Sequence, residues 1–118
     1  MIVGIGTDIV ELARIEKVGV ERLIHKVLTP AEQALVPTQA KRRREYVAGR
    51  FAAKEAIAKA LGTGLGSGFA FTDVEIVADT YGAPKACWVN DSEKPHIHLS
   101  ISHSERYAVA MVVLEQVH

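Results

Sequence analysis

The sequence predicts an α+β fold: a single domain in which an antiparallel sheet packs with a long helix. Three observations lead there. Helical spacing of apolar residues dominates the first half of the chain, and short β-branched runs dominate the second. Turn residues at Tyr81-Gly82-Ala83-Pro84 and Ser104-Glu105-Arg106 separate the later strands. With 118 residues, 48% hydrophobic and 24% charged, the chain fits one domain (1–118) and not a disordered tail.

Taken in order, Ile2 to Val10 reads as a strand with Val3, Ile5, Thr7 and Ile9 on one face. Gly4, Gly6 and Asp8 share the other face. The two glycines either leave room for a group approaching the Asp8 carboxylate or mark close backbone packing. Glu11 to Val27 reads as helix, interrupted near Gly19. Thr29-Pro30-Ala31-Glu32 carries a capping box and starts a short helix that ends near Pro37. A long helix then runs from about Thr38 to Leu61. The segment Gly62 to Gly68 has glycine at every second position. It lacks the Gly-Lys-Ser/Thr of a phosphate-binding P-loop and follows a helix, whose C-terminus repels anions. It reads as a C-cap and turn, with a cover over a bound ligand as the alternative. Strands are expected at 73–78, 85–89, 96–103 and 107–115, with the first strand joining or flanking them.

At about 100° per residue, Tyr46, Val47, Phe51, Ile57 and Leu61 fall within roughly 140° of arc on the long helix, its expected core face. Arg50 and Lys54 lie inside that arc. Their stems either rest on the core with the charges reaching solvent, or they mark a subunit interface or an anion pocket. Glu55 sits on the rim of the arc, four residues before Lys59, the spacing of an ordinary pair worth about 0.2–0.5 kcal/mol. The alanines around them make a slim helix that other groups can approach closely. Lys41-Arg42-Arg43-Arg44 is too short a basic run to claim RNA binding, although anion docking or a small RNA-binding surface is the functional alternative.

Ile97, Leu99, Ile101 and His103 share one strand face, so His103 ends an apolar stripe. His96 and His98 share the other at a spacing that suits zinc, yet no third ligand of matching placement is evident, and zinc is not expected. Cys87, the lone cysteine, excludes an internal disulfide and reads as a small buried thiol. The start Met1–Ile5 lacks the basic region of a secretion signal and no run is long enough to span a membrane, so a cytoplasmic location is expected.

Fourteen Lys and Arg balance fourteen Asp and Glu. A zero total argues against a bulk nucleic-acid or membrane binder. The balance is uneven, however: residues 1–59 carry a net +4 and residues 60–118 a net −4. Such asymmetry points to a charged partner, or to halves that meet across an interface.

Gly4-Ile5-Gly6-Thr7-Asp8-Ile9, Gly49-Arg50-Phe51-Ala52-Ala53-Lys54-Glu55-Ala56 with Lys59-Ala60, and Ser100-Ile101-Ser102-His103-Ser104 together resemble the holo-acyl-carrier-protein synthases. These are the small bacterial class of 4′-phosphopantetheinyl transferases, and the likeness runs in order along nearly the whole chain. It implies transfer of the phosphopantetheine arm of coenzyme A to a serine of apo-acyl-carrier protein, with release of adenosine 3′,5′-bisphosphate. It also implies a role in fatty acid biosynthesis and a homotrimer with sites between subunits. By the resemblance, Asp8 and Glu55 match metal-binding carboxylates and Lys59 a phosphate-contacting lysine, and these three form the catalytic set. Arg50 and His103 match positions that face coenzyme A phosphates from a neighbouring subunit. Arg14 matches the basic first helix that receives the carrier protein. Two carboxylates from distant segments, without a cysteine or histidine cluster, suit magnesium better than zinc. The base that takes the serine proton stays open among a water on the cation, Glu55 and a carrier-protein carboxylate. The segment Leu35–Ala40 is short for the family, so no role carries over to Arg42–Arg44. A non-catalytic coenzyme A or carrier-protein binding module of the same fold is the alternative reading.

Overall fold

A computed structural model describes residues 1–62, 68–90 and 93–116. Its elements follow the expected order: β1 (Ile2–Glu11), α1 (Leu12–Val18), α2 (Val20–Val27), α3 (Pro30–Gln33), α4 (Ala40–Leu61), a 3-10 turn (Phe71–Asp73), β2 (Val74–Ala78), β3 (Pro84–Trp88), β4 (His96–His103) and β5 (Tyr107–Glu115). Gly19, at φ 112°, breaks the first helical stretch in two. The capping box at α3 forms as read, with Glu32 Oε1 accepting from Thr29 N–H at 2.8 Å and Thr29 Oγ1 accepting from Glu32 N–H at 3.3 Å. Helix α4 starts two residues later than the periodicity suggests, because the Gln39 side chain caps it by accepting from Arg42 N–H at 2.9 Å. Of the alternating glycine segment, residues 63–67 lie outside the described residues. Gly62 at its head is the left-handed C-cap of α4.

The fold is α+β. Strands β1, β5 and β4 form one antiparallel sheet in that order, and β2 with β3 a second, two-stranded one. The first strand thus pairs with the last, through a register from Gly4 opposite Leu114 to Glu11 opposite Tyr107, with an irregularity between Ile2 and Gly4.

Helix α4 is the axis of the molecule, and it is buried on two faces. The large-residue arc packs under α1 and α2, as expected from Val47 and Ile57. The small-residue arc of Ala48, Gly49, Ala52, Ala56 and Ala60 is buried too, against β1 and β5. Helical periodicity alone assigned the core to the first arc only. Alanine and glycine carry too little apolar weight to mark a core stripe, yet they are what lets a helix backbone lie directly on a sheet.

The sheet side of that contact needs glycine. A Cβ on Gly4 would stand 2.2 Å from the Ala60 carbonyl oxygen, and one on Gly6 2.0 Å from that of Ala56. Close backbone packing is therefore the role of the two glycines, and the space beside Asp8 on their side is filled by α4. On the opposite sheet face the apolar residues point outward: Ile5, Ile9 and Met111 are 64%, 63% and 50% exposed.

Cys87 departs from expectation. It is exposed, because the single buried face of β3 is taken by its neighbours Ala86 and Trp88, and strand alternation turns Cys87 away.

Gly6→Ala should destabilise the fold by roughly 3 kcal/mol, the upper end of overpacking costs, since backbone rather than a side-chain tip must give way. Gly49→Ala, whose Cβ meets only the Ile101 methyl at 3.1 Å, should be close to neutral in the same denaturation experiment.

Candidate active site

The seam between β1 and α4 places two acidic positions side by side. Asp8 follows Gly6 on the inward face of β1, and Glu55 and Lys59 flank Ala56 and Ala60 on the helix. Together with Arg14 from α1 they line a cavity of about 430 Å³, whose remaining walls include Phe51, Glu11 and Tyr107. Four of the six expected site residues therefore meet in one place.

The charges in this cavity act on one another. Burial raises the Glu55 carboxyl above the usual carboxylate range, and the negative charge of Asp8 raises it further, with Lys59 and Arg14 pulling it back. The Lys59 ammonium donates to Asp8 Oδ1 at 2.9 Å. That hydrogen bond, with Asp8 and Glu55 charges added, raises the lysine pKa. Lys59 thus pairs across to β1 rather than with Glu55 one turn back along the helix. The reason is geometric: Asp8 faces α4 where Gly4 and Gly6 let the strand approach.

Arg50 and His103 lie elsewhere. With Arg42, Glu45, Tyr46, Gly49 and Ile101 they line a separate concavity of about 230 Å³. His103 Nε2 is 3.7 Å from Glu45 Oε1, and the Arg50 guanidinium stacks on the Tyr46 ring at 4.2 Å from its centroid. Arg50 Nε is buried with no hydrogen-bond partner among the described residues. Asp8 is on β1 and His103 on β4, the two outer strands of the three-stranded sheet, so β5 lies between the strands that carry them.

The Lys41–Arg44 run does not form a free basic patch. Arg43 forks onto Glu21 at 2.7 and 2.9 Å and donates to the Pro37 carbonyl at 3.1 Å. Arg44 sits 3.6 Å from Glu16, and Arg42 lines the His103 concavity. His98 is held by Glu115 at 2.9 Å. Among the described residues no three or more His, Cys, Asp and Glu are placed to hold a metal ion together. Asp8 and Glu55 offer only oxygen donors and raise each other's energy when ionised. Such a pair suits a hard cation that takes its other ligands from a phosphate and water.

Three features escaped the sequence reading. Lys54 neither reaches solvent nor faces an anion pocket: it is fully buried and paired with Glu32 at 2.6 Å. Its place inside an apolar arc was the signal, but Glu32 was hidden behind its capping role. The residue Glu45 beside His103, and the aromatic wall Tyr107, carried no distinguishing pattern, while Phe51, read as part of the core face, also lines the cavity.

Residues 4–112 match the 4′-phosphopantetheinyl transferase superfamily. A holo-[acyl-carrier-protein] synthase of Geobacillus kaustophilus is 52% identical over 98% of this chain and 91% of its own. One from Oceanobacillus iheyensis is 53% identical over 98% of each. The crystal structure of a holo-(acyl-carrier-protein) synthase from Bacillus anthracis in complex with CoA (3′,5′-ADP) superposes with a TM-score of 0.88, at 46% identity and 99% coverage of both chains.

Because the folded Glu55 carboxyl binds its proton more tightly than an unfolded one, stability linked to it is fullest at low pH. It is lost as pH rises from the ordinary glutamate value of 4.5 through the raised one. A divalent cation between the carboxylates should reverse that loss. Magnesium chloride is expected to raise the melting temperature at pH 7.5, to raise it less at pH 5 where protons compete, and to have no such effect in Asp8→Asn.

Proposed function

The chain belongs to the holo-[acyl-carrier-protein] synthases of the 4′-phosphopantetheinyl transferase superfamily, and on that premise we propose that it transfers 4′-phosphopantetheine from coenzyme A to a serine of apo-acyl-carrier protein. The observation that carries this reading is the meeting of Asp8, Glu55 and Lys59 in one cavity. The serine hydroxyl gives up its proton to a base, with Glu55 among the candidates, as its oxygen attacks the phosphorus that bears the pantetheine. The bond from that phosphorus to the bridging oxygen breaks, and adenosine 3′,5′-bisphosphate leaves with the electron pair.

Asp8 and Glu55 would hold magnesium, which would supply a Lewis acid drawing charge from the pyrophosphate oxygens. Lys59 contributes a mobile point charge. In the free chain it neutralises Asp8, and it is the group that exchanges that carboxylate for a phosphate oxygen. Arg50 and His103 hold coenzyme A phosphates, and the unpartnered Arg50 Nε supports that role. Arg14, exposed on α1, receives the acidic carrier protein. It rims both the carboxylate cavity and an adjoining apolar groove of about 440 Å³ floored by Ile15, Leu23 and Phe71.

The separation of the two half-sites supports a homotrimer. A head-to-tail contact joins different surfaces of successive copies and closes as a ring. In such a ring the β1-edge half of one copy completes the β4-edge half of the next. The outward apolar face of β1 and β5 supplies a surface of the kind that a monomer rarely leaves open. A cytoplasmic enzyme of fatty acid biosynthesis is the setting this activity fits.

Mass spectrometry of apo-carrier protein incubated with coenzyme A and magnesium should show the gain of one phosphopantetheine, blocked by a chelator. Asp8→Ala and Glu55→Ala should each abolish the gain while leaving the assembly intact. An unmodified carrier protein with the parent chain would favour the non-catalytic binding module.

Shared sites make a further prediction. Asp8→Ala and His103→Ala, each inactive alone, should regain about a quarter of parental activity when unfolded and refolded together in equal amounts, as random mixing of head-to-tail contacts requires. No recovery would argue for sites built within one chain.

A further inference from the structure

Among the described residues, Glu32 and Lys54 form the ion pair whose two side chains are both fully buried, and the proposed reaction makes no use of it. The Glu32 carboxylate accepts from three donors: Thr29 N–H at 2.8 Å, Ile76 N–H at 2.7 Å and Lys54 Nζ at 2.6 Å. Lys54 donates a second bond to the Val27 carbonyl at 2.9 Å. The Glu32 main-chain oxygen accepts from the Tyr46 hydroxyl at 3.0 Å, and the Tyr46 ring carries the Arg50 guanidinium. The carboxylate therefore ties the cap of α3, strand β2 and Lys54 of α4; Lys54 carries the tie on to the end of α2, and the Glu32 main-chain oxygen adds Tyr46, two turns earlier on α4.

Such a pair is an inefficient source of stability, since both ions lose their water and well-packed apolar replacements often do as well. Capping α3 does not require it either, because a glutamine closes the same box. What it supplies is direction. The sheet-facing side of α4 is alanine and glycine, without the large side chains that would key its rotation. Rotating a helix by about 20° moves a side-chain tip about 5–6 Å from its axis by about 2 Å. Misplacement of a reacting group by about 1 Å can cost about 100-fold in rate.

We infer that the buried Glu32–Lys54 pair is a positioning device for the reaction. It sets the rotation and register of α4, so that Glu55 and Lys59 meet Asp8 at one sheet edge and Arg50 meets His103 at the other. Tyr46, Arg50 and Lys54 stand four residues apart on one ridge of the helix, and Glu55 is the next residue along the chain. Locking the ridge locks both half-sites. This rests on the site assignment proposed above.

The test is the double variant Glu32→Gln/Lys54→Met, which removes both charges at nearly constant length. Assembly and melting temperature report folding. Mn2+ affinity by electron paramagnetic resonance and transfer kinetics report position. The double variant is expected to fold, with kcat down about 100-fold, Mn2+ affinity down at least tenfold and KM for the carrier protein unchanged. A folded double variant with parental kcat and Mn2+ affinity would overturn the inference, as would activity lost only in proportion to folded protein. Should the double variant fail to fold, Tyr46→Phe removes a single bond from the network. It should lower kcat severalfold at unchanged carrier KM, and parental kcat in that variant would equally overturn the inference. A parent chain that neither transfers nor binds Mn2+ would overturn the assigned function first, and the inference with it.

Discussion

The backbone of β1 lies directly against the backbone of α4, and the rest of the molecule is arranged around that contact. It exists because Gly4 and Gly6 present no Cβ to the Ala60 and Ala56 carbonyls. Each partner of the contact carries its acid just beyond the small residues: Asp8 on the strand, Glu55 on the helix. A bulkier seam would hold the sheet and helix farther apart, as ordinary side chains do, and the two carboxylates would not share a cavity. Burial, and then the Asp8 charge beside it, raise the Glu55 carboxyl, and Lys59 is recruited to Asp8. The repulsion is thus a consequence of packing, held in place by the surrounding core and relieved by whatever cation enters.

The same helix explains why the expected site residues fall into two separate groups. Running the full width of the sheet, α4 delivers Glu55 and Lys59 to the β1 edge and Arg50 to the β4 edge. The net charge of zero acquires a different meaning in that light. Part of the basic surplus of the first half is consumed internally, Arg43 by Glu21 and Arg44 by Glu16. Of the remaining cations, Arg14 and Lys59 line the carboxylate cavity and Arg42 and Arg50 the His103 concavity.

Much of this was legible in the sequence. Strand alternation put Gly4, Gly6 and Asp8 on one face, and the motifs carrying Glu55, Lys59 and His103 stood out by their resemblance to a family. The capping box and the Gly19 break are local chemistry, and both formed as read. What stayed hidden depends on contacts between distant segments. Glu32 satisfies its cap locally, so nothing in its neighbourhood announces Lys54, 22 residues away. The sheet-facing side of α4 is silent because alanine is apolar without being distinctive. Cys87 was misread because flanking apolar residues suggest burial, whereas a strand with one buried face hides alternate residues only.

Anomalous diffraction from crystals grown with coenzyme A and Mn2+ tests the central claim most directly. The account predicts one peak bridging the Asp8 and Glu55 carboxylates, with a phosphate oxygen as a further ligand. Coenzyme A bound with the metal held elsewhere, or with no metal between those carboxylates, would contradict it.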